Sequence, residues 1–235
     1  MIPSGAAYRT RHERGATLAT HRHRAPYAAL VLDGDYTESS LDGPLPCRPG
    51  TLVLHPAYHA HGDRFGGLGA RAINIELAEG AVDLSASAWQ VHNLREAVEV
   101  FERCPQRWSE LLACAHPQAA AELPDWQGEL LRRMADSELD IAALARGLGV
   151  SAEHASRALS RSFGMSPRAL RREARWRRAL HLLGGALPLA EVAAAAGFAD
   201  QSHLHRIVVA HAGCTPARLR RQIKYVQDRS LSAAA

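Results

Sequence analysis

The chain has 235 residues, 47% of them hydrophobic and 22% charged, which is typical of a folded protein with room for two domains. No run approaches the ~18 apolar residues of a transmembrane helix, and we expect no secretory signal, because the first residues lack an apolar core. The four cysteines are scattered without a CxxC pair, which fits the cytoplasm and argues against both a disulfide framework and a cysteine zinc site.

Charge divides the chain into two parts. Residues 1–127 hold 11 basic and 15 acidic side chains, a net charge of −4, whereas residues 128–235 hold 17 and 9, a net charge of +8. Arginine supplies all but one of the basic side chains, and its planar group suits guanine and phosphate. A basic C-terminal half predicts a polyanionic partner, although an arginine-rich proteome would give the same composition.

The N-terminal part of the chain reads as short strands. The runs YAALVLDGDYTES and GTLVLHP are apolar and closed by turn residues, ARAINIEL alternates, and Asp33-Gly34 is a hairpin signal. Many short strands with frequent turns predict a small β-barrel or sandwich over residues 1–82.

Residues 83–125 have a different texture. NLREAVEVFERC and RWSELLACAH show helical spacing, with Leu94, Val98 and Phe101 on one face. Residues 119–125, which end in Leu-Pro-Asp, indicate a linker. We therefore predict a helical segment and linker over residues 83–125.

Residues 126–235 are predicted to be all α-helical and contain an internal repeat. GVSAEHASRALSRSFGMSPRALRR (149–172) matches GFADQSHLHRIVVAHAGCTPARLRR (197–221), and Arg157, Gly164 and Pro167 align with Arg206, Gly213 and Pro216 at one constant offset. In each copy an alanine-rich helix precedes a turn with glycine, and Ser151 or Asp200 then caps a second helix. Glycine ends that helix, and Ser-Pro or Thr-Pro starts the next one. This order predicts two helix-turn-helix units.

The second helix of such a unit lies in the major groove of DNA, so its N-terminal side chains must be polar. In the second copy, helical spacing turns Leu204, Ile207 and Val208 toward the core. The side chains predicted to face base edges and phosphates are Gln201, Ser202, His203 and Arg206.

The repeat, carried by LGVSAEHASRALSRSFGMSPRALRREARWRRALHLL and GFADQSHLHRIVVAHAGCTPARLRR, resembles the C-terminal DNA-binding domain of the AraC/XylS family of bacterial transcription regulators. The resemblance implies two helix-turn-helix units joined by a long helix at about 167–183. Carried over by position, the first recognition helix would present Glu153, Ser156, Arg157 and Ser160 to DNA. The chain departs from the family pattern at Ala155 and Val208, where larger apolar residues are usual.

The N-terminal part resembles the cupin-like sensor barrel that often precedes this domain, through HRHRAPY, the Gly34 turn and RPGTLVLHPAYHAH. The resemblance implies that this barrel binds an effector and that residues 93–116 mediate homodimerisation. Six histidines fall in the stretch from His12 to His61, and His21 and His23 would share a face of a strand.

In metal-binding cupins an H-x-H pair and a later histidine supply three ligands, and the matching positions here are His21, His23 and His61. The usual carboxylate would fall near Ala28, which cannot ligate, so His55 or His59 could replace it, with Tyr27 also close. Imidazoles suit Zn, Cu, Fe or Ni. An organic effector, or no ligand at all, is the alternative.

These observations predict an α+β, cytoplasmic regulator, not an enzyme, that binds double-stranded DNA, senses a small effector such as a metal ion, and does not bind membranes. The family implies a homodimer and contact with RNA polymerase, although two tandem units could let a monomer bind specifically. The alternative is a cupin-type metalloenzyme carrying a DNA-binding domain.

Overall fold

The structure, a computed structural model, describes residues 6–79, 82, 86–137 and 139–233, with side chains to residue 224. The chain divides into two compact units, Met1–Ala121 and Glu122–Ala235. The first is rich in antiparallel strands and the second is all α-helical, which confirms the α+β prediction. In the described part of the chain, no helix is both long and apolar enough to span a membrane.

The first unit is built on one antiparallel sheet. Its strands are β1 (Ala7–His12), β2 (Thr17–Arg22), β3 (Tyr27–Ser40), β4 (Gly43–Cys47), β5 (Thr51–His55), β6 (Ala60–Glu76), β7 (Ser87–Val91) and β8 (Ala115–Gln118). The strand path is β1-β6-β3-β5-β7-β8, with β2 paired to β6 and β4 to β3. The two long strands, β3 and β6, pair with each other along most of their lengths, and each also pairs with two shorter strands.

The expected hairpin at Asp33-Gly34 is wrong, because β3 continues through both residues. The β3–β6 register shifts between Val31 and Asp33 and again after Gly34, so the dipeptide forms an irregularity within a long strand. Gly34 has a φ of 74°, and a Cβ there would lie 1.9 Å from the carbonyl oxygen of Gly69. Glycine is therefore needed for the close approach of the two strands, not for a chain reversal.

The two faces of the sheet pack against different partners, since side chains alternate along a strand. Ala28, Leu30, Ile73 and Ile75 form a core with Phe101 of helix α1 (Leu94–Arg103). A second core is formed by side chains of the strands alone, namely Val31, Tyr36, Cys47, Val53, Phe65 and Ala70.

Residues 83–125 combine helix and strand. The predicted first helix is α1, which Asn93 caps through a bond from the Glu96 amide. The predicted second helix is a 3₁₀ segment, Pro105–Cys114, followed by β8. Pairing of β7 with β8 overrides the local helical pattern of this segment. Residue 83, the predicted start of the segment, lies outside the described residues, and the unit boundary after Ala121 lies near the predicted one at 125/126.

The second unit follows the predicted repeat. Its helices are α2 (Asp125–Asp136), α3 (Ile141–Arg146), α4 (Ala152–Phe163), α5 (Pro167–Leu183), α6 (Leu189–Ala195), α7 (Gln201–Ala212) and α8 (Pro216–Ala233). Helices α3 and α4 form the first copy, and α6 and α7 form the second. The long helix expected at about 167–183 is α5.

The predicted caps are present in both copies. The Ser151 hydroxyl accepts a bond from the His154 amide at 3.2 Å, and the Asp200 carboxylate accepts one from the His203 amide at 2.6 Å. Gly164 and Gly213 end α4 and α7 with φ values of 66° and 69°. Short-range hydrogen bonds thus fix where both second helices begin and end.

Candidate functional site

Each helix-turn-helix unit is held together by small buried side chains. Ala145 and Ala193 of the first helices are fully buried, and so are Leu159 and Leu204 of the second helices. Ala155 and Val208, where the sequence departs from the family pattern, are also fully buried. The smaller side chains therefore still belong to the core, and the outer faces of α4 and α7 are mostly polar, although Val209 of α7 is also exposed.

Helix α4 presents all four of its predicted DNA-contacting side chains to solvent. Glu153, Ser156, Arg157 and Ser160 are exposed, whereas Ala155, Leu159 and Phe163 are buried. Exposed positions recur every three to four residues, so they share one face of the helix.

Helix α7 exposes Gln201, Ser202 and Arg206, but not the whole of the predicted set. His203 is half-buried: its ring packs edge-on against Phe198 at 5.2 Å between centroids, and its Nδ1 accepts a bond from the Ala199 amide at 3.5 Å. His205 is exposed instead. We call Gln201, Ser202, His205 and Arg206 the α7 face.

Sequence reasoning missed His205, although the repeat contained the signal. The offset between the two copies aligns His205 with Ser156, which lies on the exposed face of α4, so the repeat places His205 on the outer face of α7. It also aligns His203 with His154, which is exposed, so the repeat gave no signal for the half-burial of His203. Applying the first copy's pattern to the second would have selected His205.

The predicted histidines of the first unit meet at one end of β6. His61 is the direct cross-strand partner of His21, and the Nε2 atoms of His21 and His23 lie 3.1 Å apart. Ligand atoms of His21, His23 and His61 all lie within 4.8 Å of one another. The pairing of β2 with β6 therefore brings together the three histidines that the motif predicted.

His55 belongs to a neighbouring group that includes a carboxylate. Its Nε2 lies 2.8 Å from a carboxylate oxygen of Glu38, and both side chains are buried, with 2% and 3% exposed. Ligand atoms of Glu38, His55 and His61 also lie within 4.8 Å of one another. His61 thus links two overlapping sets of three, and it contacts the Tyr27 hydroxyl through Nε2 at 3.0 Å.

The carboxylate that the sequence could not locate is Glu38. Ala28, where the family pattern would place it, packs in the core beside α1. His59, the other suggested replacement, lies 3.5 Å from the Asp42 carboxylate. Glu38 stands near the far end of β3, well beyond the H-x-H pair in the chain, and reaches the cluster only through the pairing of β3 with β6. Local spacing therefore gave no signal for it.

Burial sets the protonation of the cluster. It lowers the pKa of His55 to about 3 and the pKa of His61 well below its usual value, so both rings are neutral. Burial also raises the pKa of Glu38, and burial together with Glu38 raises the pKa of Asp63 to about 8. Neutral imidazole is the form that binds a transition metal.

The cluster opens into a cavity of about 250 Å³ between β1, β2, β3 and β6. The Nδ1 atoms of His55 and His61 and the Oδ1 atom of Asp63 are buried without a hydrogen-bond partner among the described residues. Buried polar atoms in proteins are normally paired with protein groups, ordered water, an ion or a ligand, so these atoms are open to such a partner. Three imidazoles with a nearby carboxylate are a donor set that fits a divalent transition metal.

Comparisons with known proteins bear on the second unit. Residues 144–222 match a family model described as a helix-turn-helix domain. Comparison with curated proteins gives no match.

Two solved structures are similar in outline. ToxT from Vibrio cholerae is 9% identical, with a TM-score of 0.42 over 91% of this chain and 97% of that chain. The C-terminal domain of AraT, a response regulator from Geobacillus stearothermophilus, is 23% identical, with a TM-score of 0.40 over 43% of this chain and 88% of that chain.

The family match covers α4, α5, α6 and α7 in full, which are the elements of the predicted repeat. It agrees with the expectation of a regulator and not of an enzyme. The resemblance drawn from the repeat is therefore confirmed, and residues 144–222 are an AraC-type helix-turn-helix domain.

Proposed function

We propose that this protein is a sequence-specific, double-stranded-DNA-binding transcription regulator, and that the effector sensed by its N-terminal unit is a divalent transition metal. One observation carries the first half of the proposal. Two capped helices, α4 and α7, present polar faces from a basic unit, and their other faces carry fully buried side chains, namely Ala155, Leu159, Leu204 and Val208. Polar side chains held on a rigid helix suit the base edges of a major groove.

The two helices offer different chemistry to DNA. The α4 face carries Glu153, Ser156, Arg157 and Ser160, whereas the α7 face carries an amide, a hydroxyl, an imidazole and a guanidinium. Gln pairs well with adenine, Arg with guanine and Glu with cytosine. The two parts of the DNA site, one contacted by α4 and the other by α7, therefore differ in base sequence. This difference allows even a single chain to bind the duplex in only one of its two orientations.

Selection of bound duplexes from a random library tests the first half. We expect one enriched sequence, with affinity that falls steeply as salt rises, because phosphate contacts release counterions. Binding that is equal for all duplexes would contradict the proposal of sequence-specific recognition.

The histidine cluster supports the second half. His21, His23 and His61 would hold the metal, and Glu38 belongs to the second group, which shares His61 with the first. His55, through its bond to Glu38, would orient that carboxylate. The metal would supply a fixed positive charge that draws β2, β3 and β6 together at this end of the sheet.

Elemental mass spectrometry on untagged protein, purified without chelator, tests the metal. We expect about one Zn, Cu, Fe or Ni per chain, and loss of that metal in the double variant His21→Ala/His23→Ala. The matched control is His92→Ala/His116→Ala, which removes another pair of contacting histidines, both exposed on the same unit. No metal in the wild type, even after titration, would refute the metal effector.

The link between the units is tested by DNA affinity with and without the metal. A sensor requires that the metal change the affinity for the selected duplex, since linkage makes the two binding events reciprocal. Unchanged affinity would show that metal binding does not regulate DNA binding.

Homodimerisation through residues 93–116, contact with RNA polymerase and action in the cytoplasm belong to the same proposal. Light scattering of the purified chain tests homodimerisation.

A further inference from the structure

The cavity beside the histidine cluster holds two carboxyl side chains that face each other. The register of β3 and β6 places Glu38 directly opposite Asp63, and both side chains line the cavity. Acidic side chains directly opposite each other on neighbouring strands repel when both are ionised. Such a pair needs a positive charge nearby if both carboxylates are to remain charged.

The described residues give Asp63 no positive partner. Neither lysine nor arginine is among the described residues that line the cavity. Glu38 contacts His55, whereas the Oδ1 atom of Asp63 is buried with no hydrogen-bond partner in the described part of the chain. The Nδ1 atom of His61, which is only 2% exposed and lines the same cavity, is also without a partner there. These atoms leave room for a ligand that donates hydrogen bonds.

Aromatic rings line the same cavity. Tyr36 and Phe65 lie 5.3 Å apart between ring centroids, and His12 stacks on Phe65 at 4.3 Å. On β6, Phe65 lies two residues beyond Asp63, so alternation along the strand turns both side chains to one face. A carboxylate next to aromatic rings attracts an organic cation through charge and through the ring faces. The cavity, at about 250 Å³, is smaller than the sites that take drug-sized ligands.

We propose that this cavity binds a small organic amine, whose ammonium group lies on Asp63 and whose apolar part lies against Phe65 and Tyr36. The inference rests on the proposed sensing function, because it names a second class of effector for the same cavity. The amine and the metal use different groups: Asp63 for the ammonium, and His21, His23 and His61 for the ion. Both carboxyl groups, Glu38 and Asp63, lower the charge that the two cations would otherwise bring into the cavity.

Calorimetric titration of the full chain, stripped of metal by chelator and held at about pH 8.5, tests the proposal with three probes of similar shape. At that pH the Asp63 carboxyl, whose pKa burial raises to about 8, is mostly ionised. Benzylamine carries the ammonium, benzyl alcohol is its neutral analogue, and benzoate is its anionic analogue. We expect benzylamine to bind at least tenfold more tightly than benzyl alcohol, and benzoate not to bind. Equal binding of benzylamine and benzyl alcohol, a preference for benzoate, or no binding of any probe would overturn the proposal.

The variant Asp63→Asn assigns the site. It should lose at least tenfold in affinity for benzylamine and leave benzyl alcohol unchanged, because it removes the charge and keeps the shape. The control is Asp33→Asn, which alters an exposed carboxylate paired with Arg71 in the same unit and should change neither affinity. Unchanged benzylamine binding by Asp63→Asn would overturn the assignment. If that variant does not fold, the comparison of the three probes on the wild type decides the proposal.

The two proposals can fail separately. Protein that binds metal and the selected duplex but not benzylamine refutes only the amine site. Protein that binds benzylamine but carries no metal refutes only the metal effector. DNA affinity measured with benzylamine then shows whether the amine acts as a signal.

Discussion

Substitution of Arg206 by alanine is the sharpest test of DNA recognition by α7. Arg206 is exposed on the α7 face, and no ion pair joins it to any side chain that the structure describes. Its guanidinium is therefore free of a competing carboxylate before DNA binds. A bidentate contact from arginine to guanine contributes about 1–3 kcal/mol to discrimination, which corresponds to about 5- to 150-fold in affinity.

The helix geometry limits the effect to a single position. From Ser202 to Arg206 the helix rises about 6 Å, and from Ser202 to Val209 about 10 Å, so the outer face of α7 spans about three base pairs. Loss of Arg206 should therefore relax specificity at one base pair within that half-site and leave the others intact. A contact to phosphate would instead weaken binding to every sequence and reduce the salt dependence.

Fluorescence anisotropy on the selected duplex and on its single-base variants separates these outcomes. The control is Arg11→Ala, which removes the same charge from an exposed position on β1 and should leave the affinity within twofold of wild type. Equal affinity of Arg206→Ala and wild type for the selected duplex would refute the assignment of Arg206 to the DNA interface.

Three further predictions concern the histidines of α7, Asp200 and Asp63. His205→Ala should weaken specific DNA binding several-fold, as measured by anisotropy, because His205 lies on the α7 face. His203→Ala should lower the melting temperature and change specificity little, because His203 packs on Phe198. The reverse pattern would contradict the placement of the two rings. Asp200→Ala should cost about 1 kcal/mol of stability by removing the cap on α7, and an unchanged melting temperature would contradict this. Between pH 6.5 and 8 the folded, metal-free chain keeps a proton on Asp63, whose pKa is raised to about 8 by burial, whereas the unfolded chain has released it. The free energy of unfolding should therefore fall by about 1 kcal/mol per pH unit as pH rises through this range. Denaturant titrations of Asp63→Asn at the same pH values should lack that slope. The lowered pKa values of His55 and His61 affect stability only at lower pH.

The sequence alone determined the architecture of the second unit. Ser151, Asp200, Gly164 and Gly213 act through hydrogen bonds and backbone angles within a few residues of themselves, so their effect can be read locally. The repeat added independent support, because two segments with the same order of caps and apolar positions fold in the same way. The matched family model covers this part of the chain.

Short spacing also predicted part of the cavity. His21 and His23 are two residues apart, and a spacing of two puts side chains on one face of an extended chain. The motif that added His61 to them holds in the structure, since His61 is the cross-strand partner of His21. No comparable local rule pointed to a carboxylate.

Only the tertiary structure decided the rest. Glu38 meets His55, and Asp63 meets Glu38, through the register of strands that are distant from each other in the sequence, and register depends on the whole sheet. The same pairing turned Asp33-Gly34 into an irregularity inside β3 and made residues 115–118 a strand. Periodicity gave α7 its buried face and the repeat placed His205 on the outer face, but only the contact with Phe198 decided that His203 is half-buried. Local hydrogen bonds fix the ends of helices, whereas the neighbours of a side chain across a sheet or a turn are fixed by packing that no short stretch of sequence contains.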